Sequence, residues 1–290
     1  MADLVTTEPL PLTRDQAHAL VDAVMERDDL AVTASAYEDA GGEWVFEATC
    51  DSDPDLASFT ELARAVLGGE VGFSAEPIDP DVNWVAKSLE GLKPVVAGGF
   101  YIHGGHDAAP PPAGSIPIHI EAAQAFGTGH HETTAGCLEA IGWLTKQFWF
   151  SKPLDIGTGT GVLAVAIAKR LHVPVLATDI DPIAVRTTAE NARDNGAGNL
   201  VTAIEADGLE HPRIARGAPY DLIAANILAG PLIRIAPAVG RMAAPGAAIV
   251  LSGLLATQAT RVQTAYARQS MIVSRKFVRG DWATLVLEKR

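Results

Sequence analysis

The chain has 290 residues, 48% of them hydrophobic, and a formal net charge of −13. That apolar content excludes wholesale disorder and suffices for two domains, while the acidity argues against a nucleic-acid partner, whose phosphates require a basic face. A small molecule or a basic protein, which the negative field would steer, is the more plausible partner, and solubility alone is the simpler account of the charge.

No apolar run approaches the roughly 18–20 residues of a membrane span. The opening residues, "MADLVTTEPLPLTRDQ", lack the basic and apolar regions of a secretory signal. Cys50 and Cys137 stand far apart and outside any CxxC spacing, which fits two reduced thiols rather than a disulfide framework or zinc site. A cytoplasmic location is expected.

In chain order, Ala17, Leu20, Val21, Val24 and Met25 recur at helical spacing. "LAVTASAYED" and "GEWVFEATC" alternate about the turn Ala40-Gly41-Gly42 and predict a hairpin. Leu56, Phe59, Leu62 and Val66 predict a second helix that stops at Gly68-Gly69, with a short strand to follow between Val71 and Ile78. Residues 1–78 thus read as a small α+β domain of ferredoxin-like arrangement, with room for an early strand before the first helix. Residues 79–122 hold short apolar bursts broken by glycine and then "DAAPPPAGS", and read as a connecting segment. In residues 123–290, from about Pro153 onward, apolar strands alternate with amphipathic helices. That pattern predicts a doubly wound, mostly parallel α/β sheet. The final stretch, "RKFVRGDWATLVLEKR", has no helix between its halves and reads as an antiparallel hairpin at the sheet edge.

The sharpest local signal is "LDIGTGTGVLAVAIA". Asp155, Gly157, Gly159 and Gly161 form D-x-G-x-G-x-G between a buried strand and a helix, where glycines permit a tight turn and close approach of a ligand to free helix N–H groups. Val162 stands one position after the last of them, so the pyrophosphate-binding G-x-G-x-x-G does not fit. A cofactor with one ribose and no phosphate fits better. Asp179 ends the next strand, where a carboxylate can accept from both ribose hydroxyls, and Asp181 before Pro182 reads as a helix cap. Asp207 follows the third strand, either as rim of an adenine pocket or as an ordinary loop residue. Asn226 stands where the fourth strand ends, either at the transferred group or as a cap for the helix after it.

Upstream, "QAFGTGHHETTAGC" raises a metal reading through His130-His131-Glu132, but no third ligand follows at suitable spacing, so no metal is expected. Thr133-Thr134 reads as the start of a helix, with a hydroxyl able to cap it.

The glycine motif, the acid ending the second strand and the polar residue ending the fourth resemble the class I S-adenosylmethionine-dependent methyltransferases, which have a Rossmann-like seven-stranded sheet. "AFGTGHHETT", "DIDPIAVRTTAENARDNG" and "ANILAGPL" together resemble the bacterial methyltransferases of ribosomal protein L-eleven (L11), the PrmA family. The resemblance is strong from Ala125 to Leu255 and weak over the first eighty residues. It implies a substrate-recognition domain, a linker and a catalytic domain that binds S-adenosylmethionine and methylates lysine side chains, or the α-amine, of L11. A related enzyme acting on another protein lysine or a small amine is the alternative. Thr134, Gly157, Gly159, Asp179 and Asn226 would contact the cofactor or flank the transfer site, with Thr134 at its methionine end and Asp207 at its adenine. Phe126, Gly127 and Gly129 would cover it as a lid. Asn226 would orient the amine without acting as a base. Relatives commonly carry Pro-Gly where this chain has Ala122-Ala123-Gln124, so entry to that loop differs here. Asn226-Ile227-Leu228-Ala229 lacks the aromatic ring of the N-P-P-[YF] motif that stacks on planar substrates, which favours a flexible alkyl amine over a flipped base. A monomer is expected. A nicotinamide dehydrogenase, opposed by the glycine spacing, and a non-catalytic ribosome-associated module are the competing classes.

Overall fold

The computed structural model describes residues 5–25, 27, 29–38, 42–50, 54–69, 71–77, 94–105, 110–120 and 130–290. They fall into two compact units, one within residues 5–77 and one within 94–290.

The first unit runs β1 (Val5–Thr7), β2 (Leu10–Leu12), α1 (Arg14–Met25), β3 (Thr33–Glu38), β4 (Trp44–Cys50), α2 (Leu56–Leu67) and β5 (Ala75–Pro77). β1 and β2 follow one another along the same edge of β4, through Val5↔Cys50 and Leu10↔Phe46, and β3 pairs with the other edge. β5 closes on β1, and every pairing is antiparallel. This is the ferredoxin-like order, with the early strand present in two pieces. The alternation in β4 sends Phe46, Ala48 and Cys50 to the side where Leu20 and Val24 of α1 and Phe59 and Ala63 of α2 complete the core. α2 starts because Asp55 accepts from the Ser58 amide at 3.1 Å, and stops at Gly68, whose left-handed backbone (φ 72°) returns its N–H to the Arg64 carbonyl.

The second unit opens with β6 (Val95–Ala97), β7 (Phe100–His103) and β8 (Ile116–His119), a three-stranded sheet in the interval read from sequence as connecting chain. Gly98 and Gly99, both at positive φ, make the two-residue turn from β6 to β7. A Cβ on Gly98 would lie 1.9 Å from the Leu138 carbonyl, so the turn also needs glycine to seat against the helix that follows. Phe100, Ile102 and Ile118 are buried in the same core as that helix, which makes this interval part of the second unit's packing.

The elements that follow are α3 (His130–Leu144), β9 (Pro153–Ile156), α4 (Val162–Leu171), β10 (Val175–Asp179), α5 (Pro182–Asp194), β11 (Val201–Glu205), α6 (Pro212–Gly217), β12 (Tyr220–Asn226), α7 (Ala229–Met242), β13 (Ala243–Leu255), α8 (Ala259–Ala267), β14 (Met271–Arg279) and β15 (Trp282–Lys289). The seven strands order as β11-β10-β9-β12-β13-β15-β14. β9 through β13 pair in parallel, and β14 and β15 form the antiparallel hairpin expected at the edge. One hydrophobic cluster joins the inward faces of α3 and α4 to the sheet and a second joins α7 and α8 to its other face, the arrangement of a doubly wound fold. Strand order reverses between β9 and β12. In open α/β sheets the crevice for a ligand lies there, at the carboxyl ends of the strands. No helix of the described residues is long and apolar enough to cross a membrane.

Candidate active site

Parallel pairing aligns three of the sequence-predicted residues. Ile156 of β9 is the register partner of Thr178 in β10 and of Ala225 in β12. The residues that follow, Gly157, Asp179 and Asn226, therefore lie at one level on the carboxyl edge of three adjacent strands.

The glycine turn needs its glycines for different reasons. Gly157, Gly159 and Gly161 all have positive φ, of 66°, 55° and 80°. A Cβ on Gly157 would lie 2.3 Å from Ile227 Cγ2, and one on Gly161 2.8 Å from Thr188 Cγ2. At Gly159 a Cβ would meet nothing within 4 Å, so the backbone there faces open space. A polar stripe on α5 holds this turn. Thr188 donates to the Gly159 carbonyl at 3.0 Å, and buried Asn191 donates to the Thr160 carbonyl at 2.8 Å. Asn195, one helical step beyond, exchanges hydrogen bonds with the backbone of His119. Sequence reasoning placed these three residues in a helix without assigning them a task. The available signal was their i, i+3, i+7 spacing on what is otherwise the core-facing side.

Asp179 is half-buried. Its Oδ2 accepts the Gly159 amide at 2.8 Å and its Oδ1 the Asp181 amide at 3.1 Å. Each carboxylate oxygen keeps further acceptor capacity, so the side chain can serve the turn and two hydroxyls of a ribose together. Asp181 caps α5 as expected, accepting the Ile183 amide at 2.7 Å ahead of Pro182. Ile180, directly after Asp179, is 66% exposed. Asp207 is exposed on the loop after β11, while its neighbour Ala206 donates to the Asp179 carbonyl at 2.8 Å. Asp155 lies beneath the turn, fully buried. Burial pushes its carboxyl up to about 6, against the opposing pull of the Thr158 hydroxyl (2.7 Å) and the Ala164 amide at the start of α4.

Asn226 ends β12 and caps nothing, since α7 begins after Leu228. Its Nδ2 donates to Thr134 Oγ1 at 3.4 Å, and its Oδ1 is buried with no protein partner among the described residues. That orphaned acceptor is where an incoming N–H donor fits. Thr134 differs from expectation. α3 begins at His130, so Thr134 lies in its second turn, buried, and acts as the partner of Asn226 rather than as a cap. Phe126, Gly127 and Gly129, expected as a lid, lie outside the described residues. Among the described residues no group of three metal-ligating side chains occurs.

A sequence profile described as "Ribosomal protein L11 methyltransferase (PrmA)" matches residues 19–290. The chain is 45% identical over 284 residues to a ribosomal protein L11 methyltransferase of Rhizobium meliloti, covering 96% of this chain and 97% of that one. It is 40% identical over 291 residues to another of that name from Mesorhizobium japonicum, covering 96% and 100%. Among solved structures, the ribosomal protein L11 methylase of Lactobacillus delbrueckii subsp. bulgaricus is similar with a TM-score of 0.59 and 26% identity, covering 66% of this chain and 96% of that one.

Proposed function

The chain belongs to the ribosomal protein L11 methyltransferase (PrmA) family, and from that premise we propose that it methylates amino groups of ribosomal protein L11, on lysine side chains and by the same chemistry on the α-amine. The observation that carries this reading is the row of Gly157, Asp179 and Asn226 at one strand edge, with an unbonded acceptor on Asn226 beside Thr134.

When bound, S-adenosylmethionine supplies a methyl group activated by its sulfonium, which leaves binding, orientation and exclusion of water to the protein. The open backbone at Gly159 and the two carboxylate oxygens of Asp179 suit the ribose end of such a donor. Thr134 suits its methionine end, and Asn226 stands beside Thr134 at the transfer site. The attacking amine must be neutral, whereas an unperturbed lysine with a pKa of ~10.4 is mostly protonated at neutral pH. Asn226 Oδ1 can accept one N–H of the neutral amine and aim the nitrogen lone pair. An amide is too weak a base to remove the proton, so desolvation, water or a carboxylate must do so. Ile227, Leu228 and Ala229 after it offer no ring for stacking, in keeping with a flexible alkyl amine.

Residues 1–78 are assigned to substrate recognition and residues 123–290 to catalysis; of the interval 79–122, the strands β6, β7 and β8 pack with the second unit and are assigned to it. The enzyme is taken to act as a cytoplasmic monomer on a basic protein, without contacting nucleic acid.

Transfer of labelled methyl from S-adenosylmethionine to purified L11 tests the activity. Asp179→Ala should weaken affinity for S-adenosylhomocysteine in calorimetry. Asn226→Ala should leave that affinity near wild type and lower turnover by on the order of a hundredfold, as loss of an orienting group does. Wild-type activity in both variants would remove the site assignment, and no transfer by an enzyme that binds the cofactor would leave a non-catalytic module.

A further inference from the structure

β13 is irregular at the point where it passes behind Thr134 and Asn226. Its antiparallel register with β15 runs to Leu251↔Leu285 and resumes at Leu254↔Ala283, so Ser252 and Gly253 stand opposite Thr284 alone. This is a β-bulge, a feature that bends a strand and re-aims its side chains. On its other edge β13 remains parallel to β12, where Ser252 is the register partner of Asn226.

Each bulge residue presses on the neighbour of one site residue. Ser252 Oγ is fully buried, 2.8 Å from Thr284 Oγ1 and 3.3 Å from the carbonyl of Thr133, next in the chain to Thr134. With Thr284 donating to Ser252, the serine proton is left for the Thr133 or Ala283 carbonyl, both at 3.3 Å. Gly253 has φ 81°, and a Cβ there would lie 2.5 Å from the carbonyl oxygen and 2.9 Å from the nitrogen of Ile227, next in the chain to Asn226. α3 is seated equally tightly, since a Cβ on Gly136 would lie 2.3 Å from Thr284 Oγ1. Helix, bulge and strand end therefore meet with no slack.

We infer that the Ser252–Gly253 bulge is a positioning element for the reaction. It sets the spacing between α3 and the end of β12, and so holds the Thr134 hydroxyl and the Asn226 amide in the arrangement that leaves Asn226 Oδ1 open to the incoming amine. This rests on the reading of Asn226 as the orienting group. Neither bulge residue touches the reactants in this scheme. Each acts through its neighbour.

The test uses the full-length enzyme and four variants: Ser252→Ala, Gly253→Ala, Thr284→Ser, which keeps the hydroxyl, and Val262→Ala, a fully buried control on α8 in the other core cluster. Two quantities are read at a temperature where all are folded: kcat and KM for L11, and the NMR signal of the Asn226 side-chain amide, assigned by its loss in Asn226→Ala. Ser252→Ala should lower kcat by on the order of tenfold with KM unchanged, the size of effect a small misplacement produces. Gly253→Ala should lower it further, and both should shift the Asn226 amide signal. Thr284→Ser should keep wild-type kcat and signal, and Val262→Ala should lose stability while moving neither. An unmoved amide signal and full kcat in Ser252→Ala and Gly253→Ala would reduce the bulge to a packing feature. If the wild-type enzyme transfers no methyl to L11, the functional reading fails separately, and the amide signal still decides whether the bulge positions Asn226.

Discussion

The two units divide charge unequally. Residues 1–77 carry seventeen carboxylates against three arginines, whereas residues 94–290 carry fifteen against seventeen lysines and arginines. The net charge of the chain thus belongs to the first unit, and the unit with the glycine turn and Asn226 is close to neutral. Their polar groups are also used differently. On the first unit's sheet, half-buried Glu47 accepts from Thr6 at 2.8 Å and Tyr37 at 2.5 Å, one acid among many that stay at the surface. In the second unit polar side chains are buried to hold backbone, as Thr188 and Asn191 do for the glycine turn. A uniform acidic surface would speak only of solubility. Segregation is what the proposed division of labour requires, with long-range attraction of a basic partner by one unit and short-range positioning by the other.

If the second unit depends on fit, its largest responses should come from steric changes. Gly161→Ala forces a left-handed alanine against Thr188, and should cost about 3 kcal/mol or more from backbone strain and overpacking together. Gly159→Ala meets open space and should cost only the strain, about 1–2 kcal/mol, while obstructing the cofactor. Calorimetric melting of the two variants, with and without S-adenosylhomocysteine, separates these costs. Equal destabilisation by both would break the distinction between fold-holding and ligand-facing glycines.

Asp155→Asn comes next. Native Asp155 keeps its proton to about pH 6, whereas the unfolded chain releases it near the ordinary value of 3.8. Between these the native state binds more protons, so this group's contribution to stability falls as pH rises through the window and is level above it. Asn cannot ionise, so the variant should gain on the order of 1–3 kcal/mol over wild type at neutral pH and little at pH 4, from a shift of about two units. Asp29 in the first unit has the opposite sign. Its hydrogen bond with Arg27 holds its carboxyl down to about 2, so its contribution is present above the usual carboxylate range and lost only in strong acid. Thermal midpoints of wild type and Asp155→Asn across pH 4 to 8 check this, and parallel curves would refute it.

Charge changes in the first unit should act on recognition alone. Glu61 and Glu76 are both exposed. Reversing them together, Glu61→Lys with Glu76→Lys, should raise KM for L11 by roughly threefold to tenfold at low salt and leave kcat at saturation unchanged. The difference should fade towards 1 M salt, where screening acts over only ~3 Å. A fall in kcat with constant KM would reverse the division of labour.

Much of this organisation was legible in the sequence. The period-2 and period-3.6 runs located α1, β3, β4 and α2 of the first unit and the alternation of strands and helices in the second from Pro153 onward, but not β6, β7 and β8. Asp181-Pro182 announced a capped helix, and the glycine spacing with Asp179 and Asn226 picked out three strand ends that parallel register brings level. What stayed hidden depends on contacts between distant segments. Gly98 and Gly99 were in view only as glycines breaking short apolar bursts, because the strands they join are too short to show alternation and the reason for glycine at 98 is the Leu138 carbonyl. Thr134 read as a cap because two threonines precede an apolar run. Nothing local shows that α3 starts at His130 and turns Thr134 toward Asn226. The Ser252–Gly253 bulge is a relation among three strands, so "LSGL" alone could not reveal it.

The smallest expected effect tests whether the second unit's surface charges are spent locally. Arg279 on the edge hairpin grips Glu139 of α3 with two hydrogen bonds, Nη2 to Oε1 at 2.5 Å and Nε to Oε2 at 3.2 Å. That contact raises the guanidinium pKa above its already high value, so Arg279 stays charged across the working range. Both side chains are about one-third exposed, so solvent screening reduces the pair to about 0.5–1 kcal/mol. Arg279→Ala should therefore lower the melting midpoint slightly and leave the salt dependence of KM for L11 close to wild type, because one further negative charge, on Glu139 left unpaired, adds little to a net charge of −13 and lies on the unit that is not expected to attract the partner. The same loss of one positive charge would matter more if the second unit also steered the substrate. A steeper salt dependence in Arg279→Ala than in wild type would show that attraction is shared between the units.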